Sequence, residues 1–238
     1  AAERTHVVVG HGAEKVREAL ADYRVHFALQ AEQKGTGHAV AQALEGLGNG
    51  KVLVLYGDVP LIRRETLEAL LEGVDDDHLG LLTVTLDDPA GYGRIQRNAE
   101  GEPVAIVEHK DASESERAVR ECNTGIMAMT AAQLRRWLPS LSADNAQGEY
   151  YLTDIIAMAA AEGVRIVTTQ PAEPLEVEGV NNRLQMARLE RAHQLATAER
   201  LMTEGVALID PSRLDVRGSL RCGHDVEIDV GCVFEGEV

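Results

Sequence analysis

A carboxylate set directly after a buried strand is well placed to hold a divalent cation against phosphates. The stretch Val52–Leu61, Val-Leu-Val-Leu-Tyr-Gly-Asp-Val-Pro-Leu, offers that arrangement. Its apolar run lacks polar alternation, which predicts a strand buried on both faces of a parallel sheet. Gly57-Asp58 ends the run, and Pro60 stops further ladder pairing. Asp58 is thereby expected at the carboxyl rim of the sheet, where open α/β sheets bind ligands. Gly57 has no Cβ, so a ligand can approach the backbone there. Taken alone, the pattern favours a plainer role for Asp58, capping the turn that follows. The rest of the chain shifts that balance.

Other strand ends also carry polar residues. Gln30 precedes Gly35-Thr36-Gly37; its amide suits the edge of a nucleobase, and the glycines expose N–H groups at a helix start. A plain tight turn explains Gly-Thr-Gly equally well, and His38 has no assigned role. Gly91-Tyr92-Gly93-Arg94 reads either as a flap over a polar ligand or as a surface loop. Glu108-His109-Lys110-Asp111 follows an apolar strand; a solvated turn is the default, with Glu108 nearest the interior. Asn123-Thr124-Gly125 opens a strand or is only a turn. In Glu178-Gly179-Val180-Asn181-Asn182, either asparagine suits a helix cap. The sequence has no Ser-His-Asp spacing, no zinc-like Cys/His cluster and no nucleophile with an evident base. Carboxylates, amides and backbone donors fit group transfer driven by binding and charge stabilisation rather than covalent catalysis.

These residues need a scaffold, and the hydrophobic pattern supplies one. Strands are expected at Thr5–Val9, Val25–Leu29 and Val52–Leu55, with helices at Ala13–Tyr23 and Ala39–Leu47. Alternation of this kind implies right-handed crossovers and a parallel sheet. A helix at Arg64–Leu71 and a strand at Gly80–Thr85 follow. Asp87–Ile95 is a loop rich in breakers. Strands at Val104–Glu108 and Thr124–Met129, helices at Ala131–Trp137 and Tyr151–Glu162, and a strand at Arg165–Thr169 complete the α/β part. Asp154 falls in a helix first turn, where an acid complements the dipole. Asn181–Glu204 reads as one long helix, a candidate strut between domains. Beyond it, Leu214, Leu220, Val226, Cys232 and Val238 recur every six residues, and Val216, Cys222, Ile228 and Phe234 form a second register. A hexapeptide period marks a parallel β-helix.

Composition bounds the function. The 238 residues carry 23 Lys and Arg against 39 Asp and Glu, a net charge of −16. Such acidity argues against nucleic acid or an anionic membrane as partner. Aromatic content is 3%, so the core must be aliphatic. No apolar run approaches the ~18 residues of a membrane span, and no signal peptide is recognisable. Cys122, Cys222 and Cys232 are odd in number and lack C-x-x-C spacing, so reduced thiols and a cytoplasmic setting are expected.

Seven segments together resemble one family. In order they are Leu29–Ala39 (L-Q-A-E-Q-K-G-T-G-H-A), Tyr56–Pro60 (Y-G-D-V-P), Asp88–Ile95 (D-P-A-G-Y-G-R-I), Glu108–Asp111 (E-H-K-D), Asn123–Gly125 (N-T-G), Asn145–Asp154 (N-A-Q-G-E-Y-Y-L-T-D) and Glu178–Asn182 (E-G-V-N-N). They are similar to the bacterial bifunctional N-acetylglucosamine-1-phosphate uridylyltransferase / glucosamine-1-phosphate N-acetyltransferases, over nearly the whole chain. The resemblance implies an α/β fold: a Rossmann-like nucleotidyltransferase domain (1–180), a linking helix (181–205) and the start of a left-handed parallel β-helix (206–238). It implies that Gln30, Gly35 and Thr36 contact the nucleoside, that Tyr56 and Gly57 line the centre with the catalytic Asp58, and that Asp58 and Asn181 hold Mg²⁺. Gly93, Glu108 and Asn123 would bind the N-acetylglucosamine part. UTP and N-acetylglucosamine 1-phosphate would give UDP-N-acetylglucosamine and pyrophosphate, a precursor step for peptidoglycan and lipopolysaccharide. The parent would also acetylate glucosamine 1-phosphate with acetyl-CoA and assemble as a homotrimer. The family's opening L-x-x-G-x-G-T-R-M loop is not found in the chain. The sequence therefore reads as an internal fragment without its first strand, inactive and weakly stable by itself. The alternatives are transfer to another sugar 1-phosphate, or a non-catalytic nucleotidyltransferase-like assembly subunit.

Overall fold

The computed structural model describes residues 3–238. Ala1 and Ala2 lie outside the described residues. The chain forms two compact units. The larger holds the described residues through Gly57 together with Ile62–Val177, and the smaller holds Asp58–Leu61 and Glu178–Val238.

In the larger unit the order is β1 (His6–Val9), α1 (Ala13–Ala19), β2 (His26–Leu29), α2 (Thr36–Ala43), β3 (Lys51–Val54), α3 (Arg64–Glu72), β4 (His78–Thr85), β5 (Arg94–Arg97), β6 (Pro103–Val107), α4 (Glu114–Arg117), β7 (Glu121–Thr130), α5 (Ala131–Trp137), α6 (Asp154–Ala161) and β8 (Arg165–Thr169). β1 and β2 pair in parallel as a two-stranded sheet, His6 opposite His26 and Val9 opposite Leu29. The remaining strands form a mixed sheet in the order β6-β5-β7-β4-β8, with β3 also on β7.

This corrects the parallel sheet expected around Val52–Leu55. β3 runs antiparallel to β7, Lys51 opposite Thr130 and Val54 opposite Met127. It is half-buried, and Leu55 has left the strand and is 48% exposed. The centre belongs to β7, which carries β4 along one side and β5 then β3 along the other. The reason is burial: Ile126, Met127, Ala128 and Met129 are all fully covered. The βαβ rhythm of the first fifty residues holds only for β1 and β2, since local order carries no information about a partner strand some seventy residues later.

Local chemistry fixes other boundaries. Thr130 and Gln133 form a reciprocal capping box that starts α5 directly at the end of β7. α2 begins at Thr36, three residues before the expected start, because Gly35 takes φ 100° as its N-cap residue. α6 starts at Asp154 rather than Tyr151, which leaves Tyr151–Thr153 as a turn. α1 stops at Ala19, short of Tyr23. β5 lies partly inside the segment expected to be loop, and Asn123 lies within β7 rather than before it. The core gathers Leu79, Leu81, Ile95, Met127, Met129, Leu134, Trp137, Ile155 and Ile156. Trp137 keeps its indole N–H satisfied by donating to Glu162 Oε2 at 2.8 Å.

The smaller unit contains α7 (Arg183–Thr203), β9 (Ala207–Leu208), β10 (Asp215–Ser219), β11 (Glu227–Ile228) and β12 (Val233–Glu237). Asn182 is the residue that caps α7, accepting from Gln185 N at 2.9 Å. β9 pairs with β11 and β10 with β12, both in parallel. Asp215 lies opposite Val233, 18 residues on, which is three hexapeptides. Both sequence registers turn inward: Leu214, Val216, Leu220 and Ile228 pack with Ala198, Leu201 and Val206, and Cys222, Val226, Cys232 and Phe234 border them. Val238, the last member of the period, is 53% exposed. Buried Gln194 of α7 meets the backbone of Val216 twice, donating from Nε2 to its carbonyl at 3.0 Å and accepting from its N–H at 2.8 Å.

Candidate functional site

Gln30, at the end of β2, donates from Nε2 to Gly35 O at 3.0 Å and shares a 3.0 Å contact with His38 Nδ1. The glycine turn is shaped by Tyr150. A Cβ on Gly35 would lie 2.7 Å from Tyr150 O, and the left-handed φ also demands glycine. Tyr150 N donates to Lys34 O and Gly37 N to Tyr150 O, both at 2.8 Å. Thr36 Oγ1 accepts from Leu152 N at 3.0 Å. Gln30, Gly35 and Thr36 are thus gathered in one ordered turn at the N-terminus of α2.

A second group forms between β5, β6 and β7. Asn123 N donates to Gly93 O at 2.9 Å. Glu108 lies over Gly93, where a Cβ would come within 3.3 Å of Oε2. Thr153 Oγ1 donates to Glu108 Oε1 at 3.0 Å. This leaves Oε2 on the Gly93 side. Burial pushes the Glu108 carboxyl above the usual range; the Thr153 bond opposes the rise, and the nearby Asp111 and Asp154 carboxylates add to it. Asp154 is raised too, by burial and then by Asp111. Asn123 Oδ1 accepts from Gly125 N at 2.9 Å, so its amide N–H₂ is the end left over for a ligand. Gly125, at φ 82°, has the Tyr56 ring packed against it; a Cβ there would lie 2.8 Å from Tyr56 Cζ. Tyr56 is in this way brought beside Asn123. Gly57 faces open space, with nothing within 4 Å of a notional Cβ.

Asp58 and Asn181 belong to the smaller unit. Val180 N donates to Asp58 O at 2.8 Å, which ties the segment before Asn181 to Asp58. A Cβ on Gly179 would lie 3.5 Å from Asp58 Oδ2. Both side chains are exposed. With Asn182 serving as the helix cap, the Asn181 amide is not committed to that role. Among the described residues no three His, Cys, Asp or Glu side chains gather into a cation cage. One carboxylate and one amide oxygen fit a hard cation such as Mg²⁺, which takes few protein ligands and completes its shell with water and phosphate.

Some residues that shape the site were not singled out by sequence. Tyr151 OH donates to Asp111 Oδ2 at 3.3 Å, Gln147 Nε2 to Tyr151 OH at 2.9 Å, and Lys110 Nζ to Gln147 Oε1 at 2.6 Å. Arg94, 1% exposed, donates to the carbonyls of Tyr92 and Arg117, and so braces the backbone around Gly93. Asp111, Lys110, Gln147, Tyr151, Thr153 and Arg94 all lie inside motifs quoted for the resemblance, but the sequence assigns none of them a role of its own. Among the described residues no helix is long and apolar enough to cross a membrane.

The chain is 73% identical over 237 residues to a bifunctional protein GlmU of Chromohalobacter salexigens, covering 100% of this chain and 52% of that one. It is 60% identical over 232 residues to the GlmU of Stutzerimonas stutzeri, covering 98% and 51%. The chain thus spans about half the length of these curated relatives. Among solved structures, a nucleotidyl transferase from Methanothermobacter thermautotroptrophicus superposes with a TM-score of 0.55 at 22% identity, covering 83% of this chain and 76% of that one. A UDP-glucose pyrophosphorylase complexed with UDP-glucose gives 0.54 at 17% identity, covering 69% and 71%. These two likenesses carry the fold: a Rossmann-like α/β nucleotidyltransferase architecture. Residues 1–201 match the MobA-like NTP transferase domain, and the chain belongs to that family.

Proposed function

We propose that this chain supplies the transferase site of a longer protein that carries out uridylyl transfer from UTP to N-acetylglucosamine 1-phosphate, forming UDP-N-acetylglucosamine and pyrophosphate. The observation that carries the reading is the convergence of Gly93, Glu108 and Asn123 on one side of the larger unit, with Gln30, Gly35 and Thr36 in a separate ordered turn. One group suits a sugar and the other a nucleoside. In this reading Glu108 Oε2 accepts from a sugar hydroxyl, and the Asn123 amide donates to the sugar. The Gln30 amide and the Gly35-Thr36 turn hold the uracil nucleoside, and Tyr56 and Gly57 line the path between the two substrates. Asp58 and Asn181 hold Mg²⁺. Bound there, the ion would offset phosphate charge as it develops. The protein's own part is to align the sugar phosphate oxygen in line with the α-phosphorus of UTP, so that pyrophosphate leaves opposite the attack.

The parallel β10–β12 ladder of the smaller unit, offset by three hexapeptides, supports a tail that begins a left-handed β-helix. The relatives are named as bifunctional, which is consistent with a second activity; in this reading the parent also acetylates glucosamine 1-phosphate with acetyl-CoA, as a homotrimeric cytoplasmic protein that feeds cell-wall precursor synthesis. The test is pyrophosphate release by the full-length protein with Mg²⁺, UTP and N-acetylglucosamine 1-phosphate. Turnover with this pair in preference to glucose 1-phosphate is expected. Turnover only with another sugar 1-phosphate, or none with any pair, would overturn the assignment.

A further inference from the structure

The segment 145–154 touches both groups of residues, and it does so with different atoms. Its backbone holds the nucleoside turn: Tyr150 N to Lys34 O, Gly37 N to Tyr150 O, and Leu152 N to Thr36 Oγ1. Its side chains hold the other group: Tyr151 OH to Asp111, and Thr153 Oγ1 to Glu108. Asp111 is the fixed point. Its Oδ1 accepts from Ala146 N at 2.8 Å while Oδ2 accepts from Tyr151 OH, so one carboxylate clamps both ends of the loop. The loop is also closed on itself, because Asn145 Oδ1 accepts from Gln147 N and Glu149 N, and Asn145 Nδ2 donates to Glu149 O. The segment is thus tied together by its own hydrogen bonds.

We propose that this segment is a strap that couples the two subsites, with Asp111 as the positioning residue that sets it. The inference rests on the proposed assignment of the nucleoside to the Gln30–Thr36 side and the sugar to the Glu108 side. If the strap shifts when its Asp111 anchor is lost, Tyr150 and Leu152 shift with it. The nucleoside turn then loses backbone partners although Asp111 belongs to the other group. Binding of one substrate orders the strap for the other, so their affinities are linked and reciprocal.

The test uses the full-length protein and compares Asp111→Ala with Asn123→Ala. Asn123 lies in the sugar-side group but makes no hydrogen bond to the strap among the described residues. Asn123→Ala is expected to raise KM for the sugar phosphate alone. Asp111→Ala is expected to raise KM for both substrates, each by about tenfold, the effect of losing a hydrogen bond to a charged group. Tyr151→Phe, which keeps the ring and loses one bond, should move both constants in the same direction by less. UTP affinity measured without sugar guards against a fold defect: it should weaken in Asp111→Ala while the melting temperature stays that of a folded protein. A UTP affinity unchanged in both Asp111→Ala and Tyr151→Phe would overturn the strap. Failure of the wild type to bind UTP would instead overturn the functional reading on which the strap rests.

Discussion

Replacing Gly125 with alanine tests whether Tyr56 is seated where the site requires it. Gly125 is buried in the middle of β7 with φ 82°, and its α-carbon faces the Tyr56 ring. Alanine there meets two separate costs. The left-handed backbone disfavours a Cβ by about 1–2 kcal/mol. The new methyl also overlaps an aromatic ring held at 2.8 Å (Cζ), and overpacking of this kind costs about 1–3 kcal/mol. Together they amount to roughly 2–5 kcal/mol, against a total of about 5–15 kcal/mol for a typical fold. At about 2–4 °C per kcal/mol for a chain of this size, the melting temperature should fall by roughly 4–20 °C. Thermal melts of Gly125→Ala and of the same change in a Tyr56→Leu background separate the two parts. In the second background only the backbone share, about 1–2 kcal/mol, should persist. A variant melting within about 2 °C of wild type, with an unchanged KM for either substrate, would refute the reasoning. So would an equal loss in both backgrounds, since the ring would then not be the obstacle.

Asp58→Asn should lower uridylyl transfer by orders of magnitude with little change in melting temperature, because the side chain is exposed and its loss removes charge that offsets phosphate; near-normal rates across a Mg²⁺ titration would remove Asp58 from the site. Glu108 has a raised pKa in the fold, so the folded state holds its proton to higher pH than the unfolded chain does. Its contribution is then most favourable below the ordinary carboxylate range and is lost as pH rises through the folded pKa. Glu108→Gln should accordingly gain stability relative to wild type as pH rises through that window, and parallel melting curves at all pH values would contradict the sign. Gln194→Leu should cost about 2–4 kcal/mol, since Val216 would lose partners for both its N–H and its C=O; chemical denaturation that follows the smaller unit measures it.

How far these features could be read from sequence depended on the range of the interaction. Ala131–Trp137 and Arg165–Thr169 form the elements their patterns predict, because the signals are local: a Thr-x-x-Gln capping box for the first, a β-branched run closed by Gln170-Pro171 for the second. The place of β3 was misread because Val-Leu-Val-Leu looks alike at the centre of a parallel sheet and beside an antiparallel neighbour. Only β7 decides between them, and it lies far along the chain. The polar residues at strand ends were visible, and the structure gathers Gln30 with Thr36 and Glu108 with Asn123. The strap was not visible, because Asp111 and Tyr151 gain meaning only when two loops meet. Arg94 meets the same limit: Gly91-Tyr92-Gly93-Arg94 reads equally as a flap over a ligand or as a surface loop, and only the fold shows the arginine buried on backbone carbonyls.

The Gln194–Val216 pairing has a consequence for growth and aggregation. In a parallel ladder each strand offers alternate peptide groups to alternate sides. Asp215 N points to Cys232 O, toward β12, so Val216 offers its groups to the opposite side. There the Gln194 amide presents one donor and one acceptor, the same pair that a neighbouring strand would present. The helix thus imitates a strand for one residue and closes that side to further strands. The ladder is therefore polar, blunt on the side of α7 and open to another strand only beyond β12. Opening the blunt side, as Gln194→Leu does, would uncover the Val216 peptide groups and offer a further strand a place to pair on the side that α7 now closes.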